Sequence, residues 1–183
     1  MALMTFLTAA LLVAFDQATK AWAQGVLQPL GRLDAPLPGV EFLYVRNPGA
    51  AFGMLRDLAV PVGPVTVDGT FLLGVLSLAV SVWLIRILAR PAGDGRTPLD
   101  LVTRAALTLI LAGAVGNMID RFRLGYVIDF VQVGFGRFAV PVFNVADAAI
   151  TVGATVLIVA TVWPRRPERR AGNAPAPPDP GAP

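Results

Sequence analysis

Residues 105–119 form an uncharged stretch, AALTLILAGAVGNMI, that lies between Arg104 and Asp120. Three further stretches of similar length also lack charged residues, at 1–15, 69–85 and 148–163. A helix needs about 20 apolar residues to cross a bilayer. Each stretch is slightly short, so we expect one or two polar residues inside the ends of each span. The pattern predicts four membrane-spanning helices, at about 1–20, 68–87, 101–120 and 145–163.

The composition of the 183 residues also indicates a membrane protein. Hydrophobic residues make up 55% of the chain and charged residues only 15%, against about 25% charged residues in a typical soluble domain. The chain contains neither His nor Cys, which excludes Ser-His-Asp and Cys-His nucleophiles, thiolate or imidazole zinc sites, and disulfides. Catalysis would therefore have to use carboxylates, hydroxyls, amides, arginines or the single lysine, Lys20.

The basic residues predict which side of the membrane each end of the chain occupies. Arginines cluster between the second and third spans and again after the fourth, at Arg86, Arg90, Arg96, Arg104, Arg165, Arg166, Arg169 and Arg170. Basic residues near helix ends favour the cytoplasm. With an even number of spans, both termini are then expected there. Three arginines in each opposite segment make this bias moderate.

The last twenty residues, 164–183, include seven prolines. This composition predicts a disordered cytoplasmic tail, and its arginines are expected to contact anionic membrane lipids. Because the basic charge lies next to the spans, we expect no nucleic-acid partner.

The first apolar stretch also fits a cleaved signal peptide, because Ala21-Trp22-Ala23 resembles a cleavage site. However, no basic residue precedes the apolar run, as a signal peptide requires. Asp16 and Lys20 are spaced four apart with the acid first, which suits a continuing helix. We therefore expect this stretch to remain as the first span.

The two outer segments, at about 21–67 and 121–144, are expected to carry a small sheet. Three runs mix alternating polarity with β-branched and aromatic residues, as strands do, at 40–46, 126–133 and 137–143. The predicted fold class is an α-helical membrane protein with four transmembrane helices and a small extracytoplasmic β-rich cradle. Residues 1–163 form a single domain in this prediction.

Four of the twelve acidic residues lie at or near the outer ends of the predicted spans, namely Asp16, Asp120, Asp129 and Asp147. The other eight lie in loops and are expected to be solvated. Carboxylates at membrane depth are costly to charge and are therefore functional candidates. Asp147 fits equally well a helix cap in which Asn144 begins the helix. Asp129 has no local partner between Ile128 and Phe130, which favours a functional role.

Two polar motifs lie near these aspartates in the predicted topology. Asp120 and Arg121 suggest a structural ion pair or network, and Asn117 lies one turn before Arg121 on the same helix face. That face suits helix packing and a substrate site equally. In the first outer segment, Asn47-Pro48-Gly49 predicts a turn whose amide and backbone donors are suited to holding an extended peptide.

Taken in order, these motifs resemble lipoprotein signal peptidase (signal peptidase II), a family of bacterial intramembrane aspartyl proteases. The resemblance covers residues 1–163 and rests on five segments, which are Asp16-Gln-Ala-Thr-Lys20, Asn47-Pro-Gly-Ala-Ala-Phe-Gly53, Gly116-Asn-Met-Ile-Asp-Arg121, Val127-Ile-Asp-Phe130 and Phe143-Asn-Val-Ala-Asp147. Each motif is weak alone, but five in this order are specific. One departure is Ala148, where the family often has serine; it removes a possible hydroxyl partner without abolishing the chemistry.

The resemblance implies an aspartic endopeptidase in which Asp129 and Asp147 are the catalytic pair, with no metal or cofactor. It implies a substrate-binding set of Asn47, Gly49, Asn117, Arg121 and Asn144, and a structural set of Asp16, Lys20 and Asp120. The implied substrates are diacylglyceryl-modified prolipoproteins, cleaved just before the lipidated cysteine. The expected location is the bacterial cytoplasmic (inner) membrane, with the site near the extracytoplasmic face and the protein acting as a monomer.

Three other functions fit parts of the sequence. A Ser–Lys peptidase needs no His, but Ser77 and Ser81 lie toward the opposite end of their span from Lys20, roughly 10–20 Å away along the membrane normal. A proton-coupled transporter would favour internal repeats and broken helices, and the sequence indicates neither. A non-catalytic membrane scaffold would use its acids only to cap helices and form ion pairs.

Overall fold

The computed structural model describes residues 2–49, 58–62, 65–91, 99–135 and 138–162. The helices are α1 (Ala2–Trp22), a π-helical turn (Ala23–Leu27), α2 (Gln28–Leu30), α3 (Gly69–Leu88), α4 (Leu101–Leu124) and α5 (Val145–Val162). The strands are β1 (Arg32–Asp34), β2 (Val40–Asn47), β3 (Ala59–Val62), β4 (Val65–Asp68), β5 (Val127–Phe135) and β6 (Phe138–Ala139). Within these ranges, four helical segments are long and apolar enough to cross a membrane, which confirms the predicted fold class. Arg137 and the tail 164–183 lie outside the described residues.

Two helices extend further than the spans predicted from charge. The first helical segment continues through the π-helical turn to Leu30 instead of ending near residue 20, and α4 ends at Leu124 instead of residue 120. The charged residues do not end these helices because Lys20 and Asp120 are buried and pair with each other. Gly125 ends α4 in a left-handed conformation (φ 77°), where a residue without a Cβ is favoured.

Aspartate and asparagine side chains begin three of the helices. Asp68 accepts a hydrogen bond from the Phe71 amide at the start of α3. Asp100 accepts from the amide of Val102 at the start of α4. Both carboxylates are exposed, as expected for loop acids, and both also satisfy helix amides that would otherwise lack partners. Asn144 caps α5 in the same way.

The centre of the helix bundle is α4, which packs against α1, α3 and α5. The apolar core between these helices contains Ala9, Leu84, Leu88, Leu107, Leu111 and Ala112. Glycines allow α4 and α5 to approach closely. A Cβ on Gly113 would collide with the carbonyl oxygen of Ala146, and one on Gly153 would lie 2.7 Å from the carbonyl oxygen of Ala106.

The main sheet is antiparallel with strand order β1-β2-β5-β6, and β3 and β4 form a separate hairpin. The strands predicted at 40–46 and 126–133 are confirmed as β2 and β5. The strand predicted at 137–143 is wrong, since β6 contains only Phe138–Ala139 and one isolated bridge joins Phe143 to Val131. Pro141 lacks an amide hydrogen and cannot continue the ladder. Neither β1 nor the β3–β4 hairpin was predicted from the sequence.

The sheet rests on the end of the bundle where the first helical segment finishes. Ala23 and Leu27, in the π-helical turn, pack against Ile128 and Phe130 of β5. The ring of Trp22 meets the ring of Phe130 edge-on, with centroids 6.2 Å apart. This packing brings β5 and the end of β2 next to the start of α5.

Candidate active site

Asp129 lies on β5 and is held by two side-chain amides. Its Oδ1 accepts a hydrogen bond from Nδ2 of Asn144 at 2.7 Å, and its Oδ2 accepts from Nδ2 of Asn47 at 2.9 Å. Only 2% of the residue is exposed. Asn47 reaches it because β2 and β5 pair with Val45 opposite Asp129. The motifs around 47 and 129, distant in sequence, therefore meet at one point.

Asp147 lies in the first turn of α5. It is both a member of a helix cap and a carboxylate at the candidate site, the two roles between which the sequence did not decide. The backbone amide of Asp147 donates to Oδ1 of Asn144 at 2.8 Å, and Oδ2 of Asp147 accepts from the backbone amide of Asn144 at 3.3 Å. These two bonds form a reciprocal helix cap. Its other carboxylate oxygen, Oδ1, accepts from Nδ2 of Asn117 at 2.7 Å. The cap therefore fixes a carboxylate that also faces a cavity.

Asn144 and Asn117 connect the two aspartates. The Nδ2 group of Asn144 donates to Asp129 and, at 3.2 Å, to Oδ1 of Asn117, whose own Nδ2 holds Asp147. Neither asparagine lines the cavity described below, and both are almost fully buried. The structure therefore places these two members of the predicted substrate-binding set behind the aspartates.

The electrostatic environment of Asp129 favours its protonated form. The pKa of Asp129 is raised from 3.8 to about 6, chiefly by burial and also by the negative charge of Asp147. Hydrogen bonds from Asn47 and Asn144 and the charge of Lys20 oppose it. Among the described residues, neither aspartate forms a salt bridge. The pair is thus held mainly by neutral amides, and Asp129 keeps its proton to a higher pH than an ordinary carboxyl.

A cavity of about 790 Å³ opens onto both aspartates. Its polar side contains Asn47, Gly49, Arg121, Asp129 and Asp147. Its apolar wall comes from β5, the segment 140–143 and the first turns of α5, including Val133, Val142, Ala148 and Ile150. This wall was not predicted from the sequence. Residues 140–143 were expected to form a strand, and the α5 residues were expected only to form part of a membrane span.

The turn at Asn47-Pro48-Gly49 is present at the cavity rim. The Gly49 amide donates to Oδ1 of Asn47 at 3.0 Å, so both ends of the Asn47 amide are occupied. The hydroxyl of Thr70, at the start of α3, donates to the carbonyl oxygen of Pro48. Thr70 was not predicted, and its position one residue inside a span gave no signal of this contact. These bonds fix the amide that holds Asp129.

Arg121 extends from α4 toward the cavity instead of pairing with Asp120. Its Nη1 donates to the carbonyl oxygen of Asn117 at 3.5 Å, and its buried Nε has no hydrogen-bond partner within the described part of the chain. The ion pair suggested for Asp120 and Arg121 is therefore wrong. Neighbouring residues on a helix point about 100° apart, so Asp120 turns inward to Lys20 while Arg121 turns to the cavity.

Asp16, Lys20 and Asp120 form a buried cluster, which we call the lysine triad. The Lys20 ammonium lies 2.9 Å from Oδ2 of Asp16 and 3.0 Å from Oδ2 of Asp120. Asp16 also accepts from the backbone amide of Ala146, and Asp120 accepts from that of Ile128. The predicted structural set is thus in mutual contact, and each carboxylate also anchors the residue immediately before a candidate catalytic aspartate.

Gln17 belongs to the same cluster, although the sequence did not predict a structural role for it. Its Nε2 lies within hydrogen-bond distance of Asp16, of Asp120 and of the carbonyl oxygen of Gly116. The only sequence signal was its place beside Asp16 at the end of a span. No group of three or more acidic residues suited to holding a metal ion occurs in the described ranges.

Comparison with known proteins connects this site to one family. A family model described as signal peptidase (SPase) II matches residues 8–163. The lipoprotein signal peptidase of Syntrophus aciditrophicus is 36% identical over 157 residues, covering 84% of this chain and 88% of the relative. That of Synechocystis sp. is 40% identical over 153 residues, covering 83% of each.

Two solved structures share the fold, and both are described as bacterial membrane enzymes. One aligns with a TM-score of 0.67 and 27% identity and covers 87% of each chain. The other has a TM-score of 0.66 and 26% identity, covering 88% of this chain and 94% of the other. The family model spans nearly the whole described chain and includes every residue of the site. The chain therefore belongs to the signal peptidase II family.

Proposed function

We propose that Asp129 and Asp147 are the catalytic carboxylates with which this signal peptidase II removes signal peptides from prolipoproteins. The observation that carries the proposal is their shared environment. Both carboxylates line one cavity, both are held by asparagine amides, and neither forms a salt bridge among the described residues. Two carboxylates in such surroundings do not both ionise readily, so the pair holds one proton at neutral pH.

The shared proton allows acid and base catalysis at one site. The ionised aspartate accepts a proton from a water molecule, whose oxygen forms a bond to the scissile carbonyl carbon. The protonated aspartate donates its proton to the carbonyl oxygen, giving a neutral tetrahedral intermediate. When the C–N bond breaks, the leaving nitrogen takes a proton from one aspartate, and the other aspartate takes a proton from a hydroxyl of the intermediate. A carboxyl and an amine are released, and the pair again holds one proton.

The two asparagines behind the pair and the polar groups in front of it have different roles in this proposal. Asn117 and Asn144 hold the carboxylates in position. Asn47, Gly49 and Arg121 lie on the cavity wall, where they hold the substrate backbone. Support for Arg121 comes from its place on the polar side of the cavity, where its guanidinium has donors to offer a substrate carbonyl.

The cavity suits a substrate with one polar and one apolar part. Its apolar wall continues into α5, one of the membrane-spanning helices, while its polar side carries the aspartates. We infer that the substrates are diacylglyceryl-modified prolipoproteins, cleaved just before the lipidated cysteine, with the lipid remaining among membrane lipids. The enzyme then acts as a monomer in the bacterial inner membrane, with both termini cytoplasmic and the site near the extracytoplasmic face.

A transporter or a scaffold would use the same acids differently. A proton relay needs aspartates that exchange protons along one path, but Asp16 and Asp120 are occupied by Lys20. A scaffold needs no cavity at its caps, whereas Asp147 caps α5 and also lines one. A Ser–Lys dyad is disfavoured because Ser81 donates to the carbonyl oxygen of Ser77 and Lys20 is fully engaged elsewhere.

The test is cleavage of a diacylglyceryl prolipoprotein by the purified full-length protein. Asp129→Asn and Asp147→Asn should each lower kcat by about 10⁴-fold or more, the size of loss seen when a catalytic residue is removed. Asp34→Asn is the matched control, because Asp34 is an exposed carboxylate on the same sheet. It should cleave as the wild type does. Normal processing by either active-site variant would overturn the proposal, and equal thermal stability of the variants would exclude misfolding as the cause of a loss.

A further inference from the structure

The ammonium of Lys20 makes a third contact that its ion pairs do not explain. Besides Asp16 and Asp120, it lies 3.0 Å from Oδ1 of Asn117. An ammonium group has three hydrogens to donate and cannot accept. Two of its donors are used by carboxylates that already neutralise it. The third reaches the amide that holds Asp147, so the lysine triad is connected directly to the catalytic pair.

This contact determines which way the Asn117 amide faces. An asparagine amide has an acceptor oxygen on one side and a donor NH₂ group on the other. Because Lys20 only donates, the oxygen faces Lys20 and the NH₂ group faces Oδ1 of Asp147 at 2.7 Å. The reverse orientation would place NH₂ against an ammonium and oxygen against a carboxylate. Asn144 also donates to Oδ1 of Asn117, which requires the same orientation.

We propose that Lys20 is a positioning residue that, through Asn117, fixes a hydrogen-bond donor on Asp147 and supplies positive charge to the catalytic pair. The inference rests on the proposed function, since it assigns Lys20 a role in the chemistry of Asp129 and Asp147. It goes beyond the structural role implied by the resemblance. A lysine that only joined helices would need its two carboxylate partners and no contact with the site.

The charged groups around the pair predict the sign of its pH dependence. The pair consists of Asp129 on β5 and Asp147 on α5. The charged groups that face it are Lys20 and Asp16 on α1 and Asp120 and Arg121 on α4. Removing Lys20 takes away a buried positive charge and leaves the negative ones. Proton binding by the pair then becomes more favourable, so both limbs of the pH–rate profile move to higher pH.

The experiment compares Lys20→Met with wild type in cleavage of a diacylglyceryl prolipoprotein over a range of pH. The expected result is a kcat lower by about 10- to 100-fold, as found when groups that orient reacting residues are removed, with KM changed less than about threefold. The whole pH profile should also move to higher pH. Arg32→Met is the matched control, because Arg32 likewise pairs with two carboxylates, Asp34 and Glu41, but is exposed and distant from the pair. Its profile should match wild type.

A double-mutant cycle with Asn117→Ala separates positioning from general stabilisation. If Lys20 acts through Asn117, adding Lys20→Met to Asn117→Ala should lower kcat by less than about threefold more. Losses that multiply in the double variant, together with an unmoved pH profile, would overturn the inference. Inactivity of Asp129→Asn with a normal Lys20→Met profile would overturn this inference alone and leave the proposed function standing.

A second variant covers the case in which Lys20→Met does not fold. Lys20→Met combined with Asp16→Asn removes one positive and one negative charge, so the net charge of the lysine triad is unchanged. Asn at position 16 keeps an oxygen for the backbone amide of Ala146. The same reduction in kcat is expected from this variant, because the Asn117 amide is again released. Wild-type kcat in a folded double variant would contradict the inference.

Discussion

Two pairs of aspartates lie at the same end of the helix bundle and differ in what balances their charge. Asp16 and Asp120 share the ammonium of Lys20 and each accepts a backbone amide. Asp129 and Asp147 receive neutral asparagine amides and line a cavity. Residue type and membrane depth are therefore poor guides to the role of an acid. The adjacent cation and the access to a cavity separate a structural carboxylate from a reactive one.

The comparison also explains why both pairs belong to one assembly. Each ion-paired carboxylate holds the backbone of the residue just before one of the proposed catalytic aspartates, Ala146 before Asp147 and Ile128 before Asp129. The ion-paired aspartates thus act as fixed supports for the strand and the helix that carry the chemistry. The following variants test this division of roles, from the largest expected effect to the smallest.

Removing one structural carboxylate should destabilise the fold most. Asp16→Ala leaves the buried Lys20 with one carboxylate and the Ala146 amide without its acceptor. Breaking a buried ion pair from one side costs about 3–5 kcal/mol, so the free energy of unfolding in detergent should fall by about that amount. Asp34→Ala removes an exposed acid and should change it by less than about 1 kcal/mol. Equal stability of the two variants would remove the distinction between the aspartate pairs.

Moving α5 without changing any charge should impair only the catalytic pair. In Gly113→Ala the new methyl group collides with the carbonyl oxygen of Ala146 and displaces the start of α5. A misplacement of about 1 Å at a reacting group costs about 100-fold in rate, so kcat for prolipoprotein cleavage should fall by about that factor. Gly25→Ala is the control, since a Cβ there meets no atom within 4 Å. Wild-type activity in Gly113→Ala would show that the α4–α5 contact does not position Asp147.

The raised pKa of Asp129 predicts a smaller, pH-dependent effect on stability. Its pKa is about 6 in the folded protein against 3.8 for an ordinary carboxyl, so the folded state binds the proton more tightly. Protonation therefore stabilises the fold at low pH, and that contribution is lost as pH rises from about 4 to about 6. The decrease should be about 1–3 kcal/mol in wild type and absent in Asp129→Asn. Thermal unfolding in detergent between pH 4 and 7 measures it, and a decrease of the same size in both proteins would assign it to another group.

Local sequence features predicted the spans, the two central strands and the four acids at the outer ends of the spans, whereas the roles of the site residues came from the family resemblance. Uncharged stretches, β-branched alternation and isolated acids are visible within a few residues of sequence, so these features could be predicted locally. The length of the first helix was missed because the partners of its charged residues lie about a hundred positions away, at Asn117 and Asp120. For the same reason Asp120 was assigned to its neighbour Arg121 instead of Lys20.

The roles of the asparagines and the cavity wall could not be predicted from the sequence alone. Asn117 and Asn144 carry the same amide as Asn47, and only the packing of α4 against α5 places them behind the aspartates. The apolar wall at Val142 follows Pro141, whose missing amide hydrogen interrupts the pairing with β5. The roles of these asparagines and the shape of the cavity wall both depend on the packing of elements that are distant in sequence.

The hydrogen bond from the Ala146 amide to Asp16 joins positions 130 residues apart, near the two ends of the folded chain. Helix α1 therefore supports α5, which is synthesised later. During synthesis, a chain inserted only as far as α4 has the lysine triad but lacks Asp147, and no partial product contains a complete site. In the proposed function, cleavage therefore begins only after α5 has been inserted.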